Sequence, residues 1–308
     1  MLRATNGQTG RRSSNAVLRA FFYIQLMKTV LITGSSTGIG KNIAAYFQAM
    51  GWNVAATMRS PEKETELTEL ENLKCIRLDV TDEASIRSAI DDTIKAFGGI
   101  DVIVNNAGFG SIGPFEAASK EQIARQFDTN VFGIMNVTRA ILPYFREKRD
   151  GTIINIASAG GRMTWPLYTL YHGTKWAVEG FSESLQFELR PFNIRVKIIE
   201  PGAIKSDFWG RSQEVLTKKD LNAYEEYVNT VVPNLQKSGA NAPEPDVVAA
   251  VVYKAANDNS WKLRYQPKAS TSFTLFLRSM MPTRWFNGVV RKAIERKEDR
   301  LKKYAGES

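Results

Sequence analysis

Ser158, Tyr171 and Lys175 are the side chains of this 308-residue sequence best suited to acid–base chemistry. Tyr171 and Lys175 stand four residues apart at the start of a stretch whose apolar positions recur at helical spacing, so both are expected on one helix face. An ammonium beside a phenol favours the phenolate and is expected to lower the tyrosine pKa from about 10. The pair therefore predicts a phenol that exchanges a proton near neutral pH, although taken alone it fits an ordinary surface contact better.

A glycine-rich segment at residues 33–40, Thr-Gly-Ser-Ser-Thr-Gly-Ile-Gly, has the composition of a phosphate-binding turn. It follows an apolar, strand-like run and leads directly into a helical pattern. Glycines let backbone N–H groups approach a pyrophosphate, and the following helix N-terminus adds partial positive charge. The segment predicts a dinucleotide site, with a plain tight turn as the alternative. The residues expected there are Gly34, Ser36, Thr37, Gly38, Ile39 and Gly40.

Two other strand ends bear on the same site. The second strand-like run ends at Arg59, with no acid before Glu62. NAD-selective folds place an acid in this region, whereas a guanidinium suits the 2′-phosphate of NADP. Arg59 therefore predicts NADP(H) rather than NAD, and the alternative is a solvated surface arginine.

The fourth strand-like run closes with Asn-Asn-Ala-Gly at 105–108, which alone is only a good turn but would lie at the ligand-binding edge of the sheet.

Short β-branched runs alternate with longer helical patterns along most of the chain. Strands are predicted at 30–32, 53–56, 75–78, 102–104, 152–156, 196–199 and 261–265. Helices are predicted at 39–50, 61–72, 82–97 with Thr81 as N-cap, 119–148, 172–190 and 246–258. The strands lack strict apolar–polar alternation, as strands covered on both faces do. The pattern predicts an α/β fold with a doubly wound, parallel, Rossmann-like sheet in one domain.

The net charge of +9 is concentrated at the two ends of the chain. Residues 1–26 carry four arginines and no acid, residues 261–308 carry 12 basic and 4 acidic residues, and residues 27–260 carry 25 basic and 28 acidic residues. The slightly acidic middle argues against a nucleic-acid-binding groove. Residues 1–26 are expected to be a disordered basic extension rather than a targeting signal, and the protein is expected to be cytoplasmic. A single cysteine, Cys75, and a single histidine, His172, disfavour disulfides and a metal site.

Two segments outside the strand–helix repeat are expected to shape a substrate site. Residues 205–245, within a catalytic domain at 27–265, have the length and composition of a lid insertion. Residues 266–308 predict an amphipathic, basic helical arm broken at Pro282. Packing over the pocket or against another subunit, with a solvated basic face, is the favoured interpretation, and contact with an anionic membrane is the alternative.

A set of aromatic and apolar side chains predicts a bulky, apolar substrate, although about half of the set is expected to be ordinary packing. The set comprises Phe109, Phe115, Met163, Trp165, Tyr168, Phe208, Trp209 and Tyr224.

Together these residues resemble the short-chain dehydrogenase/reductase family, in its TGxxxGIG and YxxxK subgroup. The resemblance covers residues 28–206, and similar C-terminal extensions occur in retinoid- and steroid-type members. Its motifs are residues 33–40, Asp79-Val80, residues 105–108, Asn130, Ser158, residues 171–175 (Tyr-His-Gly-Thr-Lys) and Pro201-Gly202. Two departures are Ala157, where the family often has serine, and a glycine loop without a basic residue, which leaves the cofactor prediction on Arg59 alone.

The resemblance implies a role for each matched residue. Tyr171 would be the acid in carbonyl reduction or the base in alcohol oxidation, Ser158 would hydrogen-bond the substrate oxygen, and Lys175 would hold the nicotinamide ribose. Asn130 would position a water that links Lys175 to solvent. The further cofactor contacts implied are Asp79 and Val80 at adenine, Asn106, Ala107 and Gly108 on the adenosine side, Pro201 and Gly202, and Ile204 and Ser206 at the carboxamide.

The expected function is an NADP(H)-dependent oxidoreductase that interconverts a hydroxyl and a carbonyl on a small-molecule substrate. An alternative is a catalytically idle NADP-binding protein that regulates a partner, and the complete Ser-Tyr-Lys-Asn set argues against it. A basic-tailed nucleic-acid or membrane adaptor is disfavoured by the acidic middle of the chain. The resemblance also implies a homo-oligomer, a dimer or tetramer, unless the C-terminal arm covers the usual contact surfaces.

Overall fold

A parallel sheet organises the computed structural model, which describes residues 27–205, 213–239 and 242–296. In these residues the main sheet has seven strands in the spatial order β3-β2-β1-β4-β6-β7-β9. Their bounds are β1 Thr29–Thr33, β2 Asn53–Met58, β3 Leu73–Arg77, β4 Val102–Asn105, β6 Gly151–Ile156, β7 Ile194–Ile199 and β9 Arg264–Tyr265. A small second sheet pairs β5, Gly110–Ile112, in parallel with β8, Gln213–Val215.

The helices connect and cover these strands. Their bounds are α1 Gly38–Ala49, α2 Glu83–Phe97, α3 Lys120–Phe127, α4 Gly133–Lys148, α5 Thr169–Leu189, α6 Glu225–Gly239, α7 Asp246–Asn257, α8 Ala269–Met280 and α9 Thr283–Ile294. A π-helical turn, Asp128–Phe132, joins α3 to α4. No helix within the described ranges is both long enough and apolar enough to span a bilayer.

Successive residues of β1 pack into two different layers of the hydrophobic core. Val30 and Ile32 pack with α1 and α7, whereas Leu31 packs with α2, α4 and α5. This two-residue alternation requires apolar residues on both faces of the strand, which explains the uninterrupted apolar runs in the sequence. The strand order reverses between β1 and β4, so the crevice typical of doubly wound folds opens at their carboxyl ends. The predicted doubly wound, parallel sheet is confirmed.

Three of the local predictions were wrong. Residues 61–72 form two short 3₁₀ turns, Pro61–Lys63 and Leu67–Glu69, instead of a helix. The Glu64 carboxylate accepts hydrogen bonds from the backbone N–H groups of Glu66 and Leu67, each at 3.0 Å, and so turns the chain between them. Only Leu67 is buried in these turns, so no apolar stripe supports a helix.

The other two corrections concern helix ends. Asp82, not Thr81, caps α2, because its carboxylate accepts from the N–H groups of Ala84 and Ser85. Thr81 instead donates its N–H and its hydroxyl to Asp79 Oδ1, at 2.9 and 2.8 Å. The helix predicted at 119–148 is interrupted by the π-helical turn, which the apolar spacing did not signal.

The lid segment and the C-terminal arm pack together over one end of the crevice. In the described part of the insertion, Val231 and Leu235 of α6 are buried with Ile112 and Tyr168. Ile294 of α9 belongs to the same cluster, so the C-terminal arm packs against the lid helix α6. Residues 1–26, 206–212, 240–241 and 297–308 lie outside the described residues, and the first of these ranges is the predicted basic extension.

Candidate active site

A cleft of about 1190 Å³ opens at the carboxyl edge of the main sheet and brings the predicted site residues together. Ser158, Tyr171 and Lys175 line one part of it. The predicted cofactor residues that line it are Gly34, Ser36, Thr37, Gly38, Ile39, Gly40, Arg59, Asp79, Val80, Asn106, Ala107, Gly108, Pro201, Gly202 and Ile204. Ser206 lies outside the described residues. Residues from six strand ends thus meet in one crevice.

Two glycines allow the phosphate-type turn to form. Gly34 has a φ of +70°, and a Cβ there would lie 2.8 Å from the Cα of Ala107. A Cβ on Gly40 would lie 2.2 Å from the carbonyl oxygen of Gly34 and 2.4 Å from Asn106 Nδ2. Any side chain at these positions would push the two loops apart, so the glycines are required by the close approach of the backbone.

Asn106 and Thr33 fasten the glycine turn to the loop after β4. Asn106 Nδ2 donates to the carbonyls of Thr33 and Gly34, each at 3.0 Å. In return, Thr33 Oγ1 accepts from the backbone N–H groups of Asn106 and Ala107, both at 3.0 Å. These four bonds fix two cleft-lining loops relative to each other, which explains why the two sequence motifs occur together.

The cleft residues fit a nicotinamide dinucleotide. The N-terminal residues of the 12-residue helix α1 line the cleft, and its N-cap, Thr37, makes no side-chain capping bond. Free backbone N–H groups at a helix start attract anions. Arg59 is exposed and lines the same cleft directly after β2, where its guanidinium can reach a second phosphate.

The Ser158, Tyr171 and Lys175 side chains converge from two elements, the end of β6 and the first turns of α5. The Ser158 hydroxyl hydrogen-bonds the Tyr171 phenol and also accepts from the Gly160 N–H at 3.0 Å. Lys175 Nζ donates to the carbonyl of Ile156 at 2.8 Å and lies 5.7 Å from the centroid of the Tyr171 ring. The helix spacing predicted for Tyr171 and Lys175 is therefore present in the structure.

The pKa values of this cluster differ from the sequence-based expectation. Desolvation raises the pKa of Tyr171 to about 12, and the hydrogen bond from Ser158 offsets only part of that effect. Burial lowers the pKa of Lys175 to about 8. The expected lowering of the tyrosine pKa was wrong in direction, because Lys175 directs its ammonium to a backbone carbonyl and desolvation of the phenolate dominates. At neutral pH Tyr171 holds its proton.

Asn130 lies behind the cleft and does not line it. It sits in the π-helical turn, where its side chain accepts from the Phe109 N–H at 3.0 Å and donates to the Phe109 carbonyl at 2.8 Å. Its Nδ2 also reaches Thr174 Oγ1 at 3.2 Å, one residue before Lys175. Asn130 therefore ties the loop after β4 to the helix that carries Tyr171 and Lys175.

His172 fastens the loop that follows Ser158. Its Nδ1 lies 2.9 Å from the carbonyl of Gly160, and its Nε2 accepts from the Trp165 N–H at 3.1 Å. These partners require the neutral tautomer with the proton on Nδ1. Burial lowers the pKa of His172 to about 4, so the ring is a neutral loop anchor at physiological pH.

We expect the free energy of unfolding of His172→Gln to depend less on pH between about pH 6.5 and 4 than that of wild type. In wild type the folded-state pKa lies below its ordinary value of 6.5, so the unfolded chain binds the extra proton and stability falls as pH drops from about 6.5 to 4. The full contribution is about 3 kcal/mol at the lower end of this window. Urea unfolding of both proteins at several pH values measures it. Parallel pH profiles for the two proteins would contradict the assignment.

The substrate half of the cleft contains only part of the predicted aromatic set. Phe109, Trp165 and Tyr168 line it. Met163 is buried beneath the C-terminal helices, whereas Phe115 is exposed and Tyr224 is hydrogen-bonded to Glu116 away from the cleft. Phe208 and Trp209 lie outside the described residues.

The further lining residues that were not identified from the sequence include Arg125, Gln213, Glu214 and Leu235. Arg125 forms an ion pair with Glu214, and Gln213 donates to the Tyr168 hydroxyl at 2.9 Å. These residues come from α3, β8 and α6, and no spacing rule connects them. The short pairing of β5 with β8, which brings Gln213 and Glu214 to the cleft, carries too few residues to give a periodic signal.

Comparison with known proteins agrees with this geometry. A family model described as short chain dehydrogenase matches residues 28–216. The chain is 37% identical to the uncharacterized oxidoreductase YusZ of Bacillus subtilis over 277 residues, which cover 87% of this chain and 98% of the relative. It is 32% identical to 17-beta-hydroxysteroid dehydrogenase type 1 of Homo sapiens over 251 residues, covering 77% and 76% of the two chains.

Solved structures give the same result. A short-chain dehydrogenase from Streptomyces avermitilis superposes with a TM-score of 0.73 at 32% identity, covering 86% of this chain and 97% of that one. ElxO with NADP bound superposes with a TM-score of 0.65 at 28% identity, covering 79% and 98%. The resemblance to steroid-type members is supported by the human relative. The chain belongs to the short-chain dehydrogenase/reductase family of oxidoreductases, which act on CH–OH groups with NAD or NADP.

Proposed function

We propose that the chain is an NADP(H)-dependent oxidoreductase that interconverts a carbonyl and a hydroxyl on a bulky, largely apolar substrate. The observation that carries this proposal is the hydrogen-bonded pair of hydroxyls, Ser158 and Tyr171, which lines the same cleft as the glycine turn and Lys175. An acid, a hydroxyl donor and a dinucleotide cradle in one crevice are what carbonyl reduction requires.

Each of the site residues has a separate role in the proposed reaction. When bound, the nicotinamide dinucleotide supplies the hydride for reduction or accepts it in the reverse reaction. Negative charge then grows on the substrate oxygen, where the Ser158 hydroxyl donates a hydrogen bond and Tyr171 donates its proton. Lys175 would hold the nicotinamide ribose from its position beside the Tyr171 ring. Asn130 keeps the helix of Lys175 in place and would position the water that links Lys175 to solvent.

The tyrosine protonation state suits the role of an acid. Tyr171 keeps its proton at neutral pH, since its pKa is raised to about 12. A protonated phenol can act as the acid at once, whereas the base needed for alcohol oxidation would first have to lose that proton. Tyr171 would therefore act as the acid in carbonyl reduction and, in its deprotonated form, as the base in the reverse reaction.

The apolar lining supports a bulky substrate. Phe109, Trp165, Tyr168 and Leu235 line the cleft, and the last three pack in one cluster with Tyr171. Such surfaces bind apolar ligands through burial, while a few polar groups orient them. The relative named as a 17-beta-hydroxysteroid dehydrogenase favours a steroid-sized ring system or another apolar carbonyl compound of that size.

For Arg59→Glu we expect NADPH affinity to fall by about tenfold to a hundredfold, with a much smaller change for NADH. A guanidinium at the end of β2 forms charge-assisted hydrogen bonds with the 2′-phosphate, which NADH lacks. The ElxO structure with NADP bound is a related chain in which that phosphate is held. Titration of both dinucleotides into wild type and variant measures the effect. Equal losses for the two cofactors would show that Arg59 does not select the phosphate.

A substrate panel distinguishes the enzyme from its main alternative. Wild type and Tyr171→Phe are incubated with steroid-sized, aromatic and aliphatic carbonyl compounds and NADPH, and with the corresponding alcohols and NADP⁺. Turnover of at least one substrate that is lost in the variant supports the oxidoreductase. Tight NADPH binding with no turnover across the panel would instead support the catalytically idle, regulatory NADP-binding protein.

A further inference from the structure

The C-terminal helices α8 and α9 each use one face to cover the substrate end of the cleft. Leu275 of α8 and Phe286 of α9 are buried in one cluster with Ala159 and Met163, next to the catalytic Ser158. The two helices are joined directly at Met281-Pro282, and together they are called the hairpin below. The inner face of this hairpin is thereby fixed to the catalytic domain, which agrees with the packing expected from the sequence.

The opposite face of α8 is apolar rather than basic. Phe273, Phe276, Leu277 and Met280 recur at helical spacing on the side away from Leu275, and they are between 37% and 69% exposed. Arg278, the basic residue in the last turn of α8, points to the other side, where its guanidinium lies 5.4 Å from the ring of Phe286. The exposed face of α8 is therefore apolar.

The opposite face of α9 combines apolar and basic residues. Trp285 and Val289 are each 58% exposed and lie one turn apart. Lys292, seven residues after Trp285, falls on the same side and is exposed as well. A large aromatic side chain beside a cation on one helix face is typical of helices that lie in a membrane interface.

The hairpin is also strongly cationic. Residues 268–296 contain six basic residues and a single acid, Glu295. That acid is already engaged, because Arg291 Nε lies 2.9 Å from one carboxylate oxygen and the Tyr227 hydroxyl donates to the other at 2.9 Å. The hairpin thus carries positive charge that has little internal compensation.

We propose that the outer face of this hairpin docks on the surface of an anionic lipid bilayer. The outer face is defined by Phe273, Phe276, Leu277, Met280, Trp285 and Val289. Six large, exposed apolar side chains suit acyl chains, and the basic residues of the hairpin suit anionic headgroups. A second copy of this chain docked on the same face is an outcome that the test below distinguishes from lipid binding.

Docking would place the substrate end of the cleft next to the bilayer. The helices that present the outer face are the same helices that cover Met163 and Ala159, so only one helical layer separates the two. An apolar substrate dissolved in lipid would then enter without crossing bulk water. The surface itself does not depend on the proposed reaction, and Tyr171→Phe is expected to bind vesicles like wild type.

Vesicle flotation with the full-length chain tests the proposal. Wild type is mixed at low salt with vesicles of phosphatidylcholine alone, or with about one third phosphatidylglycerol. We expect binding to the anionic vesicles that weakens as salt is added. The double variant Phe276→Ser/Met280→Ser removes exposed apolar area only and is expected to bind at least about tenfold more weakly. Phe187→Ser, at an equally exposed phenylalanine on α5, is the matched control and is expected to bind like wild type.

Three outcomes would overturn the proposal. One is the absence of wild-type binding to anionic vesicles at low salt. Another is equal vesicle binding by wild type and Phe276→Ser/Met280→Ser, which would place the lipid contact elsewhere on the chain. The third, read by light scattering, is a wild-type dimer that the double variant converts to a monomer without any vesicle binding, which would make the outer face a subunit interface.

Discussion

Replacement of Tyr171 by phenylalanine is expected to lower kcat for carbonyl reduction by about 10²- to 10⁴-fold. The phenol is the acid in reach of the Ser158 hydroxyl, and phenylalanine leaves the charge that grows on the substrate oxygen without a proton donor. Dinucleotide binding should change far less, because the glycine turn and its Asn106 and Thr33 anchors are untouched. Steady-state kinetics and a separate NADPH titration together measure the two effects.

The matched control for this prediction is Tyr168→Phe. Tyr168 lines the same cleft, but its hydroxyl accepts from Gln213 rather than from Ser158. Its loss is therefore expected to alter KM more than kcat. A Tyr171→Phe enzyme with turnover close to that of wild type would remove Tyr171 from the chemistry and would leave the proposed reaction without its acid.

The pH profile adds an independent readout for the same cluster. Tyr171 stays protonated across the neutral range, whereas the pKa of Lys175 is lowered to about 8. Lys175 loses its positive charge as pH rises through that value, so kcat/KM for reduction is expected to fall above about pH 8. Lys175→Arg keeps the charge at higher pH and should move the decline upward.

Much of the site could be predicted because its signals are local. Residues 33–40 link the end of β1 to the start of α1, and Tyr171 and Lys175 lie four residues apart on α5, so each signal is contained in a short segment of the chain. The sheet was equally predictable, since its buried strands are short apolar runs between helical patterns. These features depend on neighbours in sequence, which a single chain displays directly.

The features that the sequence did not predict depend on contacts between segments that are distant in the chain. Arg125, Glu214 and Leu235 meet at the cleft only after α3, β8 and α6 have packed. The direction of the Tyr171 pKa shift follows from how completely the fold removes water from the phenol, which no spacing rule contains. Which face of α8 is exposed could not be predicted for the same reason, because the sequence shows an apolar stripe without showing which side of the helix is buried.

Replacement of Arg264 by methionine is expected to cost about 3–5 kcal/mol of stability. Arg264 lies in β9, and its Nε is 3.0 Å from Glu179 of α5 and 3.4 Å from Glu200 at the end of β7. Both glutamates are buried, and Glu200 directly precedes the cleft residues Pro201 and Gly202. Without the guanidinium, two carboxyl groups would remain in the interior, and within the described residues Arg162, 3.3 Å from Glu200, would be their remaining ion-pair partner. Urea unfolding measures the loss.

The loss in Arg264→Met should grow with pH, which separates it from a simple packing defect. Burial and the neighbouring Glu200 already raise the pKa of Glu179 to about 7 against the pull of Arg264, so native Glu179 binds a proton that the unfolded chain releases above about pH 4.5. Removing Arg264 raises that pKa further, so the variant loses more stability at pH 8 than at pH 5. Adding Glu179→Gln to Arg264→Met should recover part of the lost stability. The matched control is Arg87→Met, which breaks an exposed ion pair with Glu83 and should cost less than about 1 kcal/mol of stability. A loss that is equal at both pH values, and that Glu179→Gln leaves unchanged, would mean that Arg264 acts through its packing and not through its charge.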